Sequence, residues 1–266
     1  MTVQAGPDAG KTYREFATER LAELIADPAK SNDGNGPKAG TGIFSGGQAS
    51  NKPYTITTGF NATPNILPAL TKTGEIETAY KLFSNDEFAS WLYPVTLGAT
   101  SMWELWNSYE RGFAQGGNSQ MNSQNHFALG ASQQWMYEYQ LGITSDGGKG
   151  YREFVLQPVP GGDFTSVEGS FDSSYGVIDS HWEATDGELT SYATTVPANT
   201  TATLYLPVQE EVTSFENIPG VSFVGMTERN GLDTAEFRVA AGGYDFEVDG
   251  GTVTAEVDGA WVVDDT

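Results

Sequence analysis

Up to about residue 145 the apolar positions recur at intervals of three and four; from about residue 153 they alternate. Lys11 to Asp27 carries Phe16, Ala17, Leu21, Leu24 and Ile25 on one stripe, the period of an amphipathic helix. A stretch rich in Gly, Asn, Ser and Pro follows, roughly 28–53, and reads as a long loop. Three further helices are expected. They are 63–72, opened by Pro64 at a favoured first-turn position; Glu75 to Phe83, with Glu77 four residues before Lys81; and Glu87 to Tyr93. A longer one is expected from about Asn122 to Leu141, with Gly142 placed where a left-handed residue ends a helix.

Beyond residue 153 the period of two picks out EFVLQPV, DFTSVEGSF, YGVIDSHWEA, ELTSYATTV, TATLYLPV, VSFVGMT, AEFRVA and YDFEV. Each is rich in β-branched and aromatic residues, and Gly, Pro, Asn or Asp bounds most of them. Eight such segments predict an antiparallel β-sandwich. The expected organisation is therefore multidomain, α then β, with domains at 1–148 and 149–266.

Charge changes at the same place. Residues 1–150 hold 14 acidic and 10 basic side chains and residues 151–266 hold 21 and 3, nets of −4 and −18 within the total of −22. Such a field repels phosphate backbones, so no nucleic-acid partner is expected, and a solvated acidic face is the simplest reading. Cysteine is absent, which removes disulfides and thiolate chemistry, and His126 and His181 are the only histidines. No metal and no cofactor is expected. No Walker A pattern, dinucleotide fingerprint or G-x-S-x-G elbow occurs. With no long apolar run and no apolar leader after Met1, no membrane partner is expected and a cytoplasmic location is the default.

The candidate chemistry lies in G-A-T-S-M-W-E-L-W-N-S at 98–108. On a helix Trp103 and Trp106 would share a face with Glu104 about a hundred degrees round. Indole faces pack against the C–H groups of sugars, and burial beside them makes a carboxylate a better base. The same residues also suit an ordinary helix start, with tryptophans in the core and a first-turn glutamate. His126, in M-N-S-Q-N-H-F-A-L-G at 121–130, could hydrogen-bond two sugar hydroxyls or simply help to cap a helix. Trp91, in S-W-L-Y-P-V, suits a cleft or a core equally well.

Read in order, these segments resemble one family. T-T-G-F-N-A-T-P-N-I-L-P-A-L (57–70) leads to A-Y-K-L-F (79–83), then to S-W-L-Y-P-V-T-L-G-A-T-S-M-W-E-L-W-N-S (90–108) and M-N-S-Q-N-H-F-A-L-G (121–130). G-Y-R-E-F-V-L-Q-P-V-P-G-G-D-F (150–164) and V-P-A-N-T-T-A-T-L-Y-L-P (196–207) follow. Order and spacing resemble the C-terminal third of bacterial α-L-rhamnosidases of glycoside hydrolase family 78. The resemblance implies part of an (α/α)6 six-hairpin barrel followed by a β-sandwich, and inverting hydrolysis of terminal α-L-rhamnose. It implies Glu104 as the general base and His126 as a sugar-binding residue, with Trp91, Trp103, Trp106 and Asn125 at substrate-binding positions. The partners it implies are a rhamnose-containing oligosaccharide or glycoside and the missing upstream half of the barrel, or a second copy of the chain. No segment matches the acidic, arginine-rich motif that carries the family's general acid. A non-catalytic carbohydrate-binding or accessory fragment is the alternative.

Overall fold

The computed structural model describes residue 2 and residues 10–27, 52–56, 58–108, 123–145 and 147–258. Most of the long loop expected at 28–53, and Asn122 at the start of the expected long helix, lie outside them. The chain divides into two compact units, Met1–Gln133 and Gln134–Thr266.

The first unit is helical. Helix α1 spans Tyr13–Ala26 and opens on a capping box: the Glu15 amide donates to Thr12 Oγ1 at 3.2 Å, and the Thr12 amide donates to Glu15 Oε2 at 2.6 Å. The Thr12 amide, and the Thr12 hydroxyl donating to the same Oε2 at 2.8 Å, hold the Glu15 carboxyl below the usual range. Helices α2, Thr63–Lys72, and α3, Ile76–Phe83, pack on each other, and α1 touches both. Leu67, Leu70, Ala79, Tyr80 and Leu82 are buried on the facing sides, as their three-and-four spacing requires. Arg14 donates to the carbonyl of Lys72 at 2.8 Å and so satisfies one orphan acceptor at the end of α2.

The helix expected at Glu87–Tyr93 does not form. Its backbone is used elsewhere: Ala89 accepts from the Ile56 amide at 2.8 Å, and the Glu87 amide donates to Asn85 Oδ1 at 3.0 Å. An Asn side chain that bonds the backbone two residues on competes with a helical turn. Only one turn, Tyr93–Thr96, is helical there, with Pro94 in its first turn. The expected long helix is also shorter. It starts at Leu129 and runs as a 3₁₀ turn to Ala131, an α turn over Ser132–Trp135 and a π turn over Met136–Gln140. Gly142 follows at φ 77°, and a Cβ there would lie 2.1 Å from the carbonyl carbon of Gln157. Both the turn and the close approach require glycine.

The second unit has eight strands: β1 Ile143–Ser145, β2 Glu153–Leu156, β3 Ser166–Ser173, β4 Gly176–Thr185, β5 Glu188–Pro207, β6 Val221–Arg229, β7 Leu232–Asp249 and β8 Thr252–Val257. These are not the eight segments marked by the sequence pattern. ELTSYATTV and TATLYLPV form the single strand β5, and AEFRVA and YDFEV the single strand β7. β1 and β8 were not in the pattern.

The first half of β5 pairs β4 on one side and the second half of β7 on the other; its second half pairs β2 and the first half of β7. The register breaks between Val196 and Thr201, where Asn199 is left-handed, opposite Gly242 at φ 154°. Phe237 and Phe246 on β7 have ring centroids 5.7 Å apart. Nine residues of straight strand would separate them by about 30 Å, so the sheet folds over on itself at this bend. The result is a sandwich with β3, β4 and β8 in one layer, β1, β2 and β6 in the other, and β5 and β7 running through both. One pair departs from the antiparallel expectation. β2 runs parallel to β5, because the chain from 157 to 200 forms a crossover long enough to return it in the same direction.

Trp182, Tyr192, Phe154, Phe237 and Phe246 fill the space between the layers, each at most 1% exposed. Trp182 Nε1 donates to the Gln140 carbonyl at 2.7 Å, and burial pushes the Tyr192 phenol up to about 12.

Candidate functional site

The residues of interest come together through two irregular segments of the first unit, 101–108 and 123–131. They pair side by side. The Glu104 amide donates to the Ser123 carbonyl at 2.8 Å, and the His126 amide to the Met102 carbonyl at 2.8 Å. Ser101 Oγ donates to the Gln124 carbonyl. Trp103 to Trp106 is therefore a turn and not a helix, closed by the Leu105 amide donating to Ser108 Oγ at 3.1 Å. The pairing takes up the backbone groups that a helix would have used.

Glu104 is 8% exposed. Its Oε2 accepts from the Ser123 amide at 2.8 Å, which fixes the carboxylate. Its Oε1 accepts from no described residue. One oxygen is held and the other is left for a ligand or a water.

His126 is half-buried. Its Nδ1 accepts from the Ala128 amide at 3.3 Å, so in the neutral ring the proton is on Nε2. The neutral imidazole then has one free donor, Nε2–H, where the sequence reading allowed it two ligand bonds. It stacks on Phe60 at 4.6 Å and 21°, and on Phe127 at 5.5 Å and 7°. Asn125 is exposed, in a turn whose amide donates to Ser123 Oγ at 3.2 Å.

The three indoles are interior. Trp91, Trp103 and Trp106 are 3%, 5% and 2% exposed. Trp91 meets Trp106 edge to face at 6.1 Å, packs near Phe83 at 6.3 Å and donates from Nε1 to the Leu129 carbonyl at 2.8 Å. They brace the turn that presents Glu104.

Ser123, Phe60 and Phe127 were not singled out from sequence. Phe60 lies in the quoted T-G-F-N segment and Phe127 follows His126, yet ring stacking between distant segments leaves no periodic trace. Among the described residues no group of three or more His, Asp or Glu side chains could hold a metal ion. No described helix is long and apolar enough to cross a membrane.

The second unit has a groove of about 340 Å³ on its outer face, over β3, β4, β5 and β7. Ala193, Thr195, Glu168, Asp179, Asp245 and Asp258 line it with His181, which pairs across from Glu168. Burial, then Asp258 and Glu256, pushes the Asp245 carboxyl up. The groove is acidic, and the buried Ser180 and Thr194 of its lining spend their hydroxyls on the carbonyls of Leu141 and Asp179.

Residues 47–140 match the family model described as the bacterial alpha-L-rhamnosidase 6 hairpin glycosidase domain, and residues 142–218 the model described as the bacterial alpha-L-rhamnosidase C-terminal domain. An alpha-L-rhamnosidase of Streptomyces avermitilis is 40% identical over 158 residues, 59% of this chain and 15% of that protein. One of Formosa agariphila is 40% identical over 153 residues, 57% of this chain and 16% of that protein. Among solved structures, the Streptomyces avermitilis alpha-L-rhamnosidase complexed with L-rhamnose has a TM-score of 0.59 at 36% identity, over 74% of this chain and 18% of its own. The native enzyme from Aspergillus terreus has a TM-score of 0.62 at 25% identity, over 90% of this chain and 22% of its own. The chain thus spans less than a quarter of the length of these relatives.

Proposed function

Because the chain belongs to the bacterial alpha-L-rhamnosidase family, we propose that it carries the water-activating side of an inverting α-L-rhamnosidase site, with Glu104 as general base. The observation that carries the proposal is the asymmetry of that carboxylate: Oε2 is clamped by the Ser123 amide while Oε1 accepts from no described residue. A base must hold one geometry and keep one lone pair for the proton it takes.

In the proposed reaction a water lies against Oε1 on the face of the sugar opposite the leaving group. Its oxygen forms the new bond to the anomeric carbon, Oε1 takes the proton, and the glycosidic bond breaks toward a leaving oxygen protonated by an acid. Inversion needs the two carboxyl groups about 6.5–9.5 Å apart so that the water fits between them. We assign that acid to the upstream part of the barrel, since no motif here matches it. His126 Nε2–H donates to a hydroxyl of the bound rhamnose, with Asn125 beside it. Trp91, Trp103 and Trp106 form the wall behind Glu104. The helical part, 1–148 by the sequence reading, is then the C-terminal part of the six-hairpin barrel. The sandwich, 149–266 by that reading, takes in β1 from the residues just before it.

The substrate is a glycoside with terminal α-L-rhamnose, and the upstream half of the barrel is the partner that completes the site. The test is hydrolysis of p-nitrophenyl α-L-rhamnoside by the chain joined to that half. Glu104→Gln lowers kcat by about 10²–10⁴-fold with little change in KM. A variant that keeps most of its rate removes the assignment. Saturable rhamnoside binding by the joined protein without turnover would favour the binding-only alternative.

A further inference from the structure

Phe127 is 88% exposed, the most exposed large apolar side chain among the described residues, while its neighbours Ala128 and Leu129 are buried at 7% and 3%. A phenyl ring held in water is not required by the local backbone, which turns through the Gly130 amide donating to the Phe127 carbonyl at 3.0 Å. The ring lies nearly parallel to the His126 imidazole, 7° between planes and 5.5 Å between centroids, a span comparable to the width of one pyranose. The order along the chain is polar Asn125, donor His126, apolar Phe127.

We propose that Phe127 is a specificity-determining residue that receives the C5 methyl group of the sugar. The inference rests on the reading that rhamnose is held at Glu104 and His126. Rhamnose is a 6-deoxyhexose: hydroxyls mark C2, C3 and C4, and a methyl, its only wholly apolar substituent, is carried on C5. The Nε2–H of His126 meets a hydroxyl, and the phenyl face beside it meets the methyl, whose C–H groups pack on an electron-rich ring. A hydroxymethyl group in the same place would give up hydrogen bonds to water and gain none from a phenyl ring. The pair of side chains therefore separates the 6-deoxy sugar from its 6-hydroxy counterpart.

The test uses the chain joined to its upstream half, in the Glu104→Gln background that blocks turnover, with methyl α-L-rhamnoside and methyl α-L-mannoside, which differ only by the C6 hydroxyl. Both are titrated by NMR. The rhamnoside binds about tenfold more tightly, the low end of what one group in an apolar contact supplies, and its methyl doublet moves upfield over the ring. Phe127→Ala removes the upfield shift and brings the ratio close to one. Phe127→Tyr keeps both, and His126→Ala weakens both glycosides alike. If Phe127→Ala leaves the ratio unchanged while the rhamnoside still binds, this inference alone fails, and the ring is covered by something other than sugar, such as the remaining hairpins of the barrel. If the joined protein with Phe127 intact binds neither glycoside, the inference falls together with the reading it rests on.

Discussion

The two units solve the same problem, burying aromatic side chains, in opposite ways. In the strand unit β5 and β7 run through both layers, and between those layers Trp182, Leu204 and Phe237 reach 0% exposure. In the helical unit α1 buries only Ile25, and Tyr13, Val95 and Phe127 stand 53%, 58% and 88% exposed. The candidate chemistry belongs to the second kind of region. Glu104 and His126 are carried by paired irregular segments over a buried indole layer. Functional groups are often carried on loops supported by a rigid layer behind them. The strand unit buries its aromatic side chains within itself and carries an acidic outer face; the described part of the helical unit leaves several apolar side chains exposed and carries the candidate site.

That contrast can be broken in order of effect. Phe237→Ala in the strand core should lower stability by about 3–5 kcal/mol in urea denaturation. Phe16→Ala on α1, at 37% exposure, should change it by less than about 1 kcal/mol. Comparable losses at the two positions would remove the distinction. Gly142→Ala must place a methyl group against the Gln157 carbonyl at a left-handed φ, and should cost about 2–3 kcal/mol; an unchanged melting temperature would show that the turn relaxes freely. Thr12→Ala removes the capping box and should cost about 1 kcal/mol, read as faster amide exchange confined to α1.

The smallest effect concerns the acidic groove. Burial and two neighbouring carboxylates raise the folded-state pKa of Asp245. A carboxyl whose pKa is raised by folding opposes the fold where it is ionised, above that pKa, and ceases to do so as pH falls through it. Asp245→Asn should therefore stabilise the chain at neutral pH by less than about 1 kcal/mol, with the gain fading toward acid pH. A gain that grew on acidification would reverse the sign.

How far the sequence was legible follows from the range of the forces involved. Helix α2 at Thr63–Lys72 matches the span set by its apolar spacing and Pro64, both local signals. The strand segments were recognised, but Pro197–Thr200 and Gly242–Gly243, which lie between segments marked as separate, are bends through which β5 and β7 pass between layers. Whether Gly and Pro reverse a strand or bend it is decided by the partner strands. The turn at Trp103–Trp106 was unreadable for a similar reason. Its shape depends on Ser123, 19 residues from Glu104, and no periodicity records that pairing. Composition marked Glu104 and His126 as chemically apt, and the family resemblance gave them roles. Only the structure shows that one glutamate oxygen is clamped and that Nδ1 of the imidazole is already used.

The central claim is that the open oxygen of Glu104 takes the proton of the attacking water. Glu104→Ala in the chain joined to its upstream half, assayed on p-nitrophenyl α-L-rhamnoside with and without sodium azide, tests it most directly. The account predicts a loss of about 10²–10⁴-fold, partly restored by azide, a nucleophile that needs no base, with the inverted β-L-rhamnosyl azide as product. A rate close to that of the unsubstituted protein, or an azide adduct of retained configuration, would contradict it.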